Sequence, residues 1–142
     1  MSMLRIFDVA GSAVSAQSQR LNVVASNLAN VDTVASTDSG PYKARNVVFQ
    51  TVLMGAASNP ASAASSAGVQ VSAVTESQQP GRRVRDPAHP NADAEGYVTY
   101  SNVNAVDEMV NMISASRSYQ NNVEVMNTAR NLLLKTLQIG QS

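Results

Sequence analysis

Apolar side chains recur every seven residues at both ends of this chain, and that spacing commits each end to an amphipathic helix that has to bury one stripe against another helix. At the N-terminal end one row is Phe7, Val14, Leu21 and Leu28, with a second row at Ala10, Gln17, Val24 and Val31, where Gln17 is the one polar interruption. At the C-terminal end Met112, Tyr119, Met126 and Leu133 make one row, and the residues four further on, Ser116, Val123, Arg130 and Leu137, make a more ragged second row. A repeat of about 3.5 residues per turn calls for a left-handed supercoil with a partner helix, and the two ends of one chain are the nearest candidates. The fold class that follows is α+β and elongated, with the long terminal helices paired as a coiled coil and a small antiparallel β lobe with loops between them.

The boundaries come from punctuation. Residues 1–34 hold the N-terminal helix, starting near Met3 to Arg5 and ending about Asn30, before the turn formers Asp32 to Gly40 and the helix-breaking Pro41. Residues 35–103 form the β-rich middle: a strand over Tyr42 to Val52, an alternating strand from Val69 to Thr75, a short strand at Val84, and another over Tyr97 to Val103. Between the first two strands, 55–68 is almost entirely Ala, Ser, Gly, Asn and Pro, which reads as a mobile loop with little to bury. Residues 104–142 hold the second helix, capped by Ser101, Asn102 or Asn104 and stopped at Gly140.

Composition narrows the function. Ten basic and ten acidic residues cancel, which removes the long-range attraction that steers a protein to nucleic acid or anionic lipid. Cysteine is absent, so there is no disulfide framework, thiolate nucleophile or cysteine-held metal. No uncharged apolar run reaches the roughly 18 residues of a membrane span, and Asp8 breaks the short apolar start that a secretory signal would need, so neither membrane insertion nor a cleaved signal peptide is expected. Charged residues make up only 14%, and the helices carry Asn22, Ser26, Asn27 and Asn30, or Ser114, Ser118, Asn121, Asn122 and Asn131, in their place. Such groups cost less to desolvate than Lys or Glu, and beside the apolar seams these faces read as outward surfaces ready to meet protein rather than water alone.

Residues that could carry chemistry do not assemble into a site. His89 is the only histidine, and it lies in a Pro-flanked loop that holds a general base poorly. Asn91, Asp93, Glu95 and Gly96 imitate the start of a calcium loop, but the twelfth position is Asn102 in place of a bidentate Glu, so a polar turn leading into a strand is the better reading. Arg82, Arg83 and Arg85 face Asp86, Asp93 and Glu95 at close sequence range, which favours local neutralisation over a basic patch for an acidic partner. No phosphate-binding glycine loop or dinucleotide fingerprint is present; no cofactor, metal or enzymatic activity is expected. Met109, Met112 and Met126 on the last helix are adaptable packing residues, and Tyr119 can anchor a contact through its ring and hydroxyl.

Particular strings then carry a resemblance. Ala16-Gln17, Leu21-Asn22-Val23, Ser26-Asn27-Leu28-Ala29-Asn30 and Thr33 resemble the N-terminal signature of flagellar rod and hook proteins. Glu108-Met109-Val110, Ser114 to Gln120, Asn122 to Val125, Asn127-Thr128 and Leu137 to Gly140 resemble the closing helix of the same family, so that about half the chain is covered. Most members place Gly-Tyr-Lys soon after the first signature; here several residues intervene and the string is Gly40-Pro41-Tyr42-Lys43-Ala44. That departure, the short β middle, Glu76-Ser77-Gln78 and Asp93 to Val98 fit the small proximal-rod members better than the longer hook or distal-rod members.

The resemblance implies a structural subunit of the proximal rod of the bacterial flagellar basal body, crossing the periplasm as part of the torque-transmitting drive shaft. It implies export through the flagellar type III apparatus without a cleaved signal peptide, and contact with other rod proteins and with copies of itself. A monomeric coiled-coil binding module or export adaptor is the alternative; it would keep the helices and stay monomeric in sedimentation at high concentration. The residues expected to carry assembly are Val14, Leu21, Asn27, Leu28 and Asn30 at one end, and Met112, Tyr119, Val123, Met126 and Leu133 at the other. A carboxylate on the seam would be desolvated without a partner, so Leu28→Asp should prevent incorporation into a rod, and normal swimming of cells carrying it as their sole copy would contradict the seam reading.

Overall fold

The computed structural model describes residues 3–36, 39–54 and 66–140. Helix α1 (Met3–Ala29) is followed by strands β1 (Arg45–Met54), β2 (Ser66–Glu76), β3 (Arg83–Arg85) and β4 (Tyr97–Thr99), and by helix α2 (Ala105–Ile139). The order is the α+β arrangement expected, with both helix ends close to their predicted places because the signals that set them are local. The Asn104 side-chain oxygen accepts the Val106 N–H at 3.0 Å, capping α2. At the end of α1 the Asn30 carbonyl accepts both the Thr33 N–H and the Thr33 hydroxyl, which consumes an acceptor the finished helix would otherwise leave open.

The strands differ from expectation in their limits. β1 starts at Arg45 rather than Tyr42, and β4 ends at Thr99, after which Tyr100 makes a single antiparallel bridge to Val34. Of the loop expected over 55–68, residues 55–65 lie outside the described residues, as do Thr37 and Asp38 of the predicted turn, while Ser66–Gly68 belongs to β2. Gly68 shows why a residue of loop-like composition can sit in this strand. A Cβ there would meet the Met54 side chain and come within 2.9 Å of the Ser12 hydroxyl on α1, so only a bare backbone fits. Next to it, Val69 donates its N–H to that same hydroxyl at 3.1 Å.

Two compact units share these elements. The first consists of Met1–Gln19, Val48–Ala73 and Ser114–Ser142, and the second of Arg20–Val47 and Val74–Ile113. In the first, the start of α1 accompanies the end of α2; in the second, the end of α1 accompanies the start of α2. Within the second unit α1 and α2 meet directly, Arg20 donating to the Asn111 side chain at 3.1 Å.

Both α1 rows read from the sequence are inside: Ala10 and Val24 are buried, and Phe7, Val14, Gln17, Leu21, Leu28 and Val31 are half-buried. On α2 the row Met112, Tyr119, Met126 and Leu133 is also half-buried, but the second row is corrected. It runs through Glu108, Ala115, Asn122 and Ala129, three residues beyond the first row instead of four, with Ala115 and Ala129 only 0% and 3% exposed. Arg130 and Leu137 are exposed, and Ser116 and Val123 flank the seam half-buried. Alanine adds little to a hydrophobic pattern, yet it is the residue that lets neighbouring backbones come close, so the seam is lined where the pattern looked weakest. Two oxygens are buried on these rows without a hydrogen-bond partner among the described residues, Gln17 Oε1 and Glu108 Oε2.

In the second unit β3 and β4 pair antiparallel, Arg83 opposite Thr99, Val84 opposite Val98 and Arg85 opposite Tyr97. Val98 is fully buried. On the other edge of β4, Thr99 accepts from Ala35 and Ser101 donates to Thr33. The connection between the strands turns on Asp93, whose Oδ1 accepts the Glu95 and Tyr97 N–H groups at 3.0 and 2.8 Å, and on Gly96, whose φ of 78° is left-handed. Arg83 completes the turn, reaching Asp93 at 2.8 Å and Glu95 at 3.5 Å. The residues that imitate a calcium loop are thus spent on a hairpin turn.

The Tyr97 N–H holds the Asp93 carboxyl below its ordinary value of 3.8, helped by Arg83 and the Glu95 N–H and opposed by desolvation. A depressed carboxyl stabilises the fold above the ordinary value and loses that contribution as pH falls through the lowered one. Side-chain NMR titration should therefore give Asp93 a midpoint below 3.8, and Asp93→Ala should speed amide exchange at Glu95 and Tyr97 already at neutral pH.

Candidate assembly interface

The polar residues of the first signature are engaged within the subunit. Asn27 is 0% exposed. Its Oδ1 accepts the Arg45 N–H and the Tyr42 hydroxyl, each at 3.0 Å, while its Nδ2 donates to the Arg45 carbonyl at 2.8 Å. The side-chain amide thus meets both backbone groups of one strand residue, as a neighbouring strand would. Ser26 and Tyr42 share a hydroxyl contact at 3.2 Å, and Asn30 donates to the Ser26 carbonyl at 2.8 Å. Ser101, buried, donates to the Val31 carbonyl at 2.7 Å. Asn102 accepts the Ala44 N–H and donates to the Gln79 carbonyl, tying the start of β1 to the segment before β3.

This corrects the outward polar face expected of α1: Asn27 and Asn30 point into hydrogen bonds of their own subunit, and Asn22 is the exposed member. Spacing alone does not separate an asparagine that pairs with a strand from one that meets solvent. The structure places the remaining candidates, Val14, Leu21, Leu28, Met112, Tyr119, Val123, Met126 and Leu133, at half-buried positions, some in the first unit and some in the second. Each keeps part of its apolar surface available.

The side chains that stand out most lie elsewhere on α2. Val106, Met109, Val110 and Ile113 in the second unit are 67%, 56%, 61% and 54% exposed, and their spacing puts them on one stripe across two helical turns. In the first unit Leu132, Leu134, Leu137 and Ile139 are exposed as well. A cluster of large exposed apolar side chains on one helix marks a contact surface, whereas scattered ones do not. The signal was present in the sequence as a second apolar row beside the seam, and the heptad reading passed over it.

No helix among the described residues is long and apolar enough to cross a membrane. Residues 7–34 match the family described as flagella basal body rod protein, and residues 94–139 match the C-terminal region of the flagellar basal body rod FlgEFG proteins. The flagellar basal-body rod protein FlgC of Escherichia coli O157:H7 is 56% identical over 141 residues, covering 99% of this chain and 100% of that protein. The chain belongs to the FlgC family of flagellar basal-body rod proteins. FlgC of Salmonella typhimurium strain LT2 is 53% identical with the same coverage, and FlgC of Bacillus subtilis strain 168 is 38% identical over 152 residues, again across 99% of this chain and 100% of its own. The two matched regions hold Asn27 and the whole of α2, while Tyr42 and Arg45, which Asn27 binds, lie between them.

The Asn27 clamp can be graded by mutation. Asn27→Ala leaves the Arg45 N–H and carbonyl without their partner and should cost about 1–3 kcal/mol in urea unfolding of the full chain, whereas Tyr42→Phe removes one bond of the set and should cost about 0.5–1.5 kcal/mol.

Proposed function

We propose that this chain is a structural subunit of the flagellar basal-body rod, placed in its proximal part and assembling helically through its terminal helices with copies of itself and other rod proteins. End-to-end identity with FlgC proteins carries the rod assignment. The exposed apolar stripe Val106, Met109, Val110 and Ile113 supports assembly through α2, because large apolar side chains clustered on one helix face are the kind of surface that a partner covers. The half-buried seam residues Val14, Leu21, Leu28, Met112, Tyr119, Val123, Met126 and Leu133 fix the helix pair that presents the stripe, and Asn27 and Asn30 fix the strand and turn beside it.

In this reading the subunit acts by packing and not by chemistry. A patch that meets a different patch on the next copy does not close on itself, so the contact propagates along an axis and passes torque from one subunit to the next. The subunit reaches the periplasm through the flagellar type III apparatus, a route that requires an unfolded chain and is unobstructed here by any disulfide.

Cells lacking the native chain should build no shaft beyond the membrane ring, and the parent sequence should restore it. Val110→Asp places a charge on the stripe where the side chain is exposed in the monomer, so circular dichroism of the purified chain should match the parent while basal bodies isolated from the complemented strain lack rods. Normal rods and swimming with Val110→Asp would remove the stripe from the interface.

A further inference from the structure

The residues from Asp86 to Gly96 that join β3 to β4 fold as three consecutive turns of one design. In each, the backbone carbonyl of the first residue accepts the N–H three residues on: Asp86 from His89 at 3.2 Å, His89 from Ala92 at 3.0 Å and Asp93 from Gly96 at 2.9 Å. In each, the side chain of that same first residue accepts the N–H two residues on: Asp86 Oδ1 from Ala88 at 3.3 Å, His89 Nδ1 from Asn91 at 3.1 Å and Asp93 Oδ1 from Glu95 at 3.0 Å. Pro87 and Pro90 hold the second place of the first two turns, where a φ fixed at about −65° suits a turn. Proline brings no N–H, so in those two turns the side-chain bond takes the one donor that the backbone bond leaves open.

The three acceptors are alike in place and unlike in chemistry. The carboxylates of Asp86 and Asp93 accept when ionised, and a carboxyl that gains a proton still has oxygen lone pairs to accept with. An imidazole nitrogen accepts only while it is bare, and in the protonated ring both nitrogens are donors. The Asn91 bond to Nδ1 therefore fixes a neutral ring with its proton on Nε2, and a proton arriving at Nδ1 would set donor against donor. The charged groups of this connection and of the strand before it are Arg83, Arg85, Asp86, Asp93 and Glu95. Arg83 is held by Asp93 and Glu95, Asp86 is held by the Ala88 N–H, and among the described residues no carboxylate lies within ion-pair distance of the ring. The two feet of the connection rest on bonds of their own, the Asp86 N–H on the Gly96 carbonyl at 3.0 Å and the Asp93 N–H on the Tyr97 carbonyl at 2.8 Å. His89 is half-buried and Asn91 exposed, so water reaches this turn.

We infer that His89 is a proton-operated latch on the middle turn of this connection. With the ring neutral, Nδ1 holds the Asn91 N–H and the turn from His89 to Ala92 is shut. When a proton from water takes the Nδ1 lone pair, Nε2 keeps its own, the ring becomes a donor at both nitrogens and the Asn91 N–H passes to water. The turns on either side keep their carboxylate acceptors and stay shut, so the loosening is confined to Pro90, Asn91 and Ala92. Pro90 and Asn91 are exposed, and the surface they present thus follows the acidity around it.

His89 is the chain's single histidine, so NMR of the full chain labelled with nitrogen-15 reads the ring and the amides in one titration. On acidification the protection of the Asn91 amide, taken against its unstructured exchange rate at each pH, should fall about tenfold with the midpoint at which the His89 ring itself titrates, while Ala88 and Glu95 show no step there. The ring nitrogen shifts of the neutral form should place its proton on Nε2. His89→Asn sets an amide oxygen where Nδ1 stands and does not titrate; it should keep Asn91 protected through the same range, whereas His89→Ala should leave it unprotected throughout. An Asn91 amide that ignores the ring, a neutral ring with its proton on Nδ1, or a step that survives in His89→Asn would each overturn the latch. The measurement is made on the single chain, so none of these outcomes bears on the rod assignment.

Discussion

A single carboxamide joins the helical and the stranded parts of the second unit. Asn27 is wholly out of solvent, and each polar atom it carries has a partner: the Arg45 N–H and the Tyr42 hydroxyl on its oxygen, the Arg45 carbonyl on its nitrogen. A buried amide is costly unless met, and here it is met by the backbone of the strand that follows, so helix and strand are fixed relative to each other at that point. Thr33 and Asn30 then close the helix, and Ser101 and Asn102 bring the stretch before α2 to the same place. The string that carries the family resemblance is therefore a wiring plan for one corner of the subunit.

Electrostatics play a local part. Arg45 lies 3.5 Å from Glu76 with its guanidinium over the Tyr42 ring, and Arg83 combines two carboxylates with the Tyr97 ring. These pairs are about half exposed and contribute little individually. Their effect is to settle the orientation of turns in a chain whose formal net charge is zero.

Much of this was legible from spacing and punctuation. Heptad rows gave both helices and one face of each, because burial along a helix follows a period that sequence displays directly. Asn104 was among the caps named for α2, and Gly140 among the stops, since both act through the residues next to them. What escaped is what depends on a partner distant in sequence. The second seam row of α2 is marked by the burial of Ala115 and Ala129, small side chains whose place in a seam shows only once the subunit is packed. Asn27 reads as a surface residue until Arg45 is beside it, and Gly68 reads as loop until Ser12 is. The exposed stripe on α2 was visible as apolar residues but not as exposure, which is a property of the packed subunit.

The two partnerless oxygens on the helix rows have a mechanical corollary. Gln17 and Glu108 each gave up water on being enclosed, and one oxygen of each meets no donor among the described residues, so each subtracts from the adhesion that its apolar neighbours supply. A leucine at either place would grip harder. Each helix is consequently held less firmly at that turn than its apolar neighbours alone would hold it.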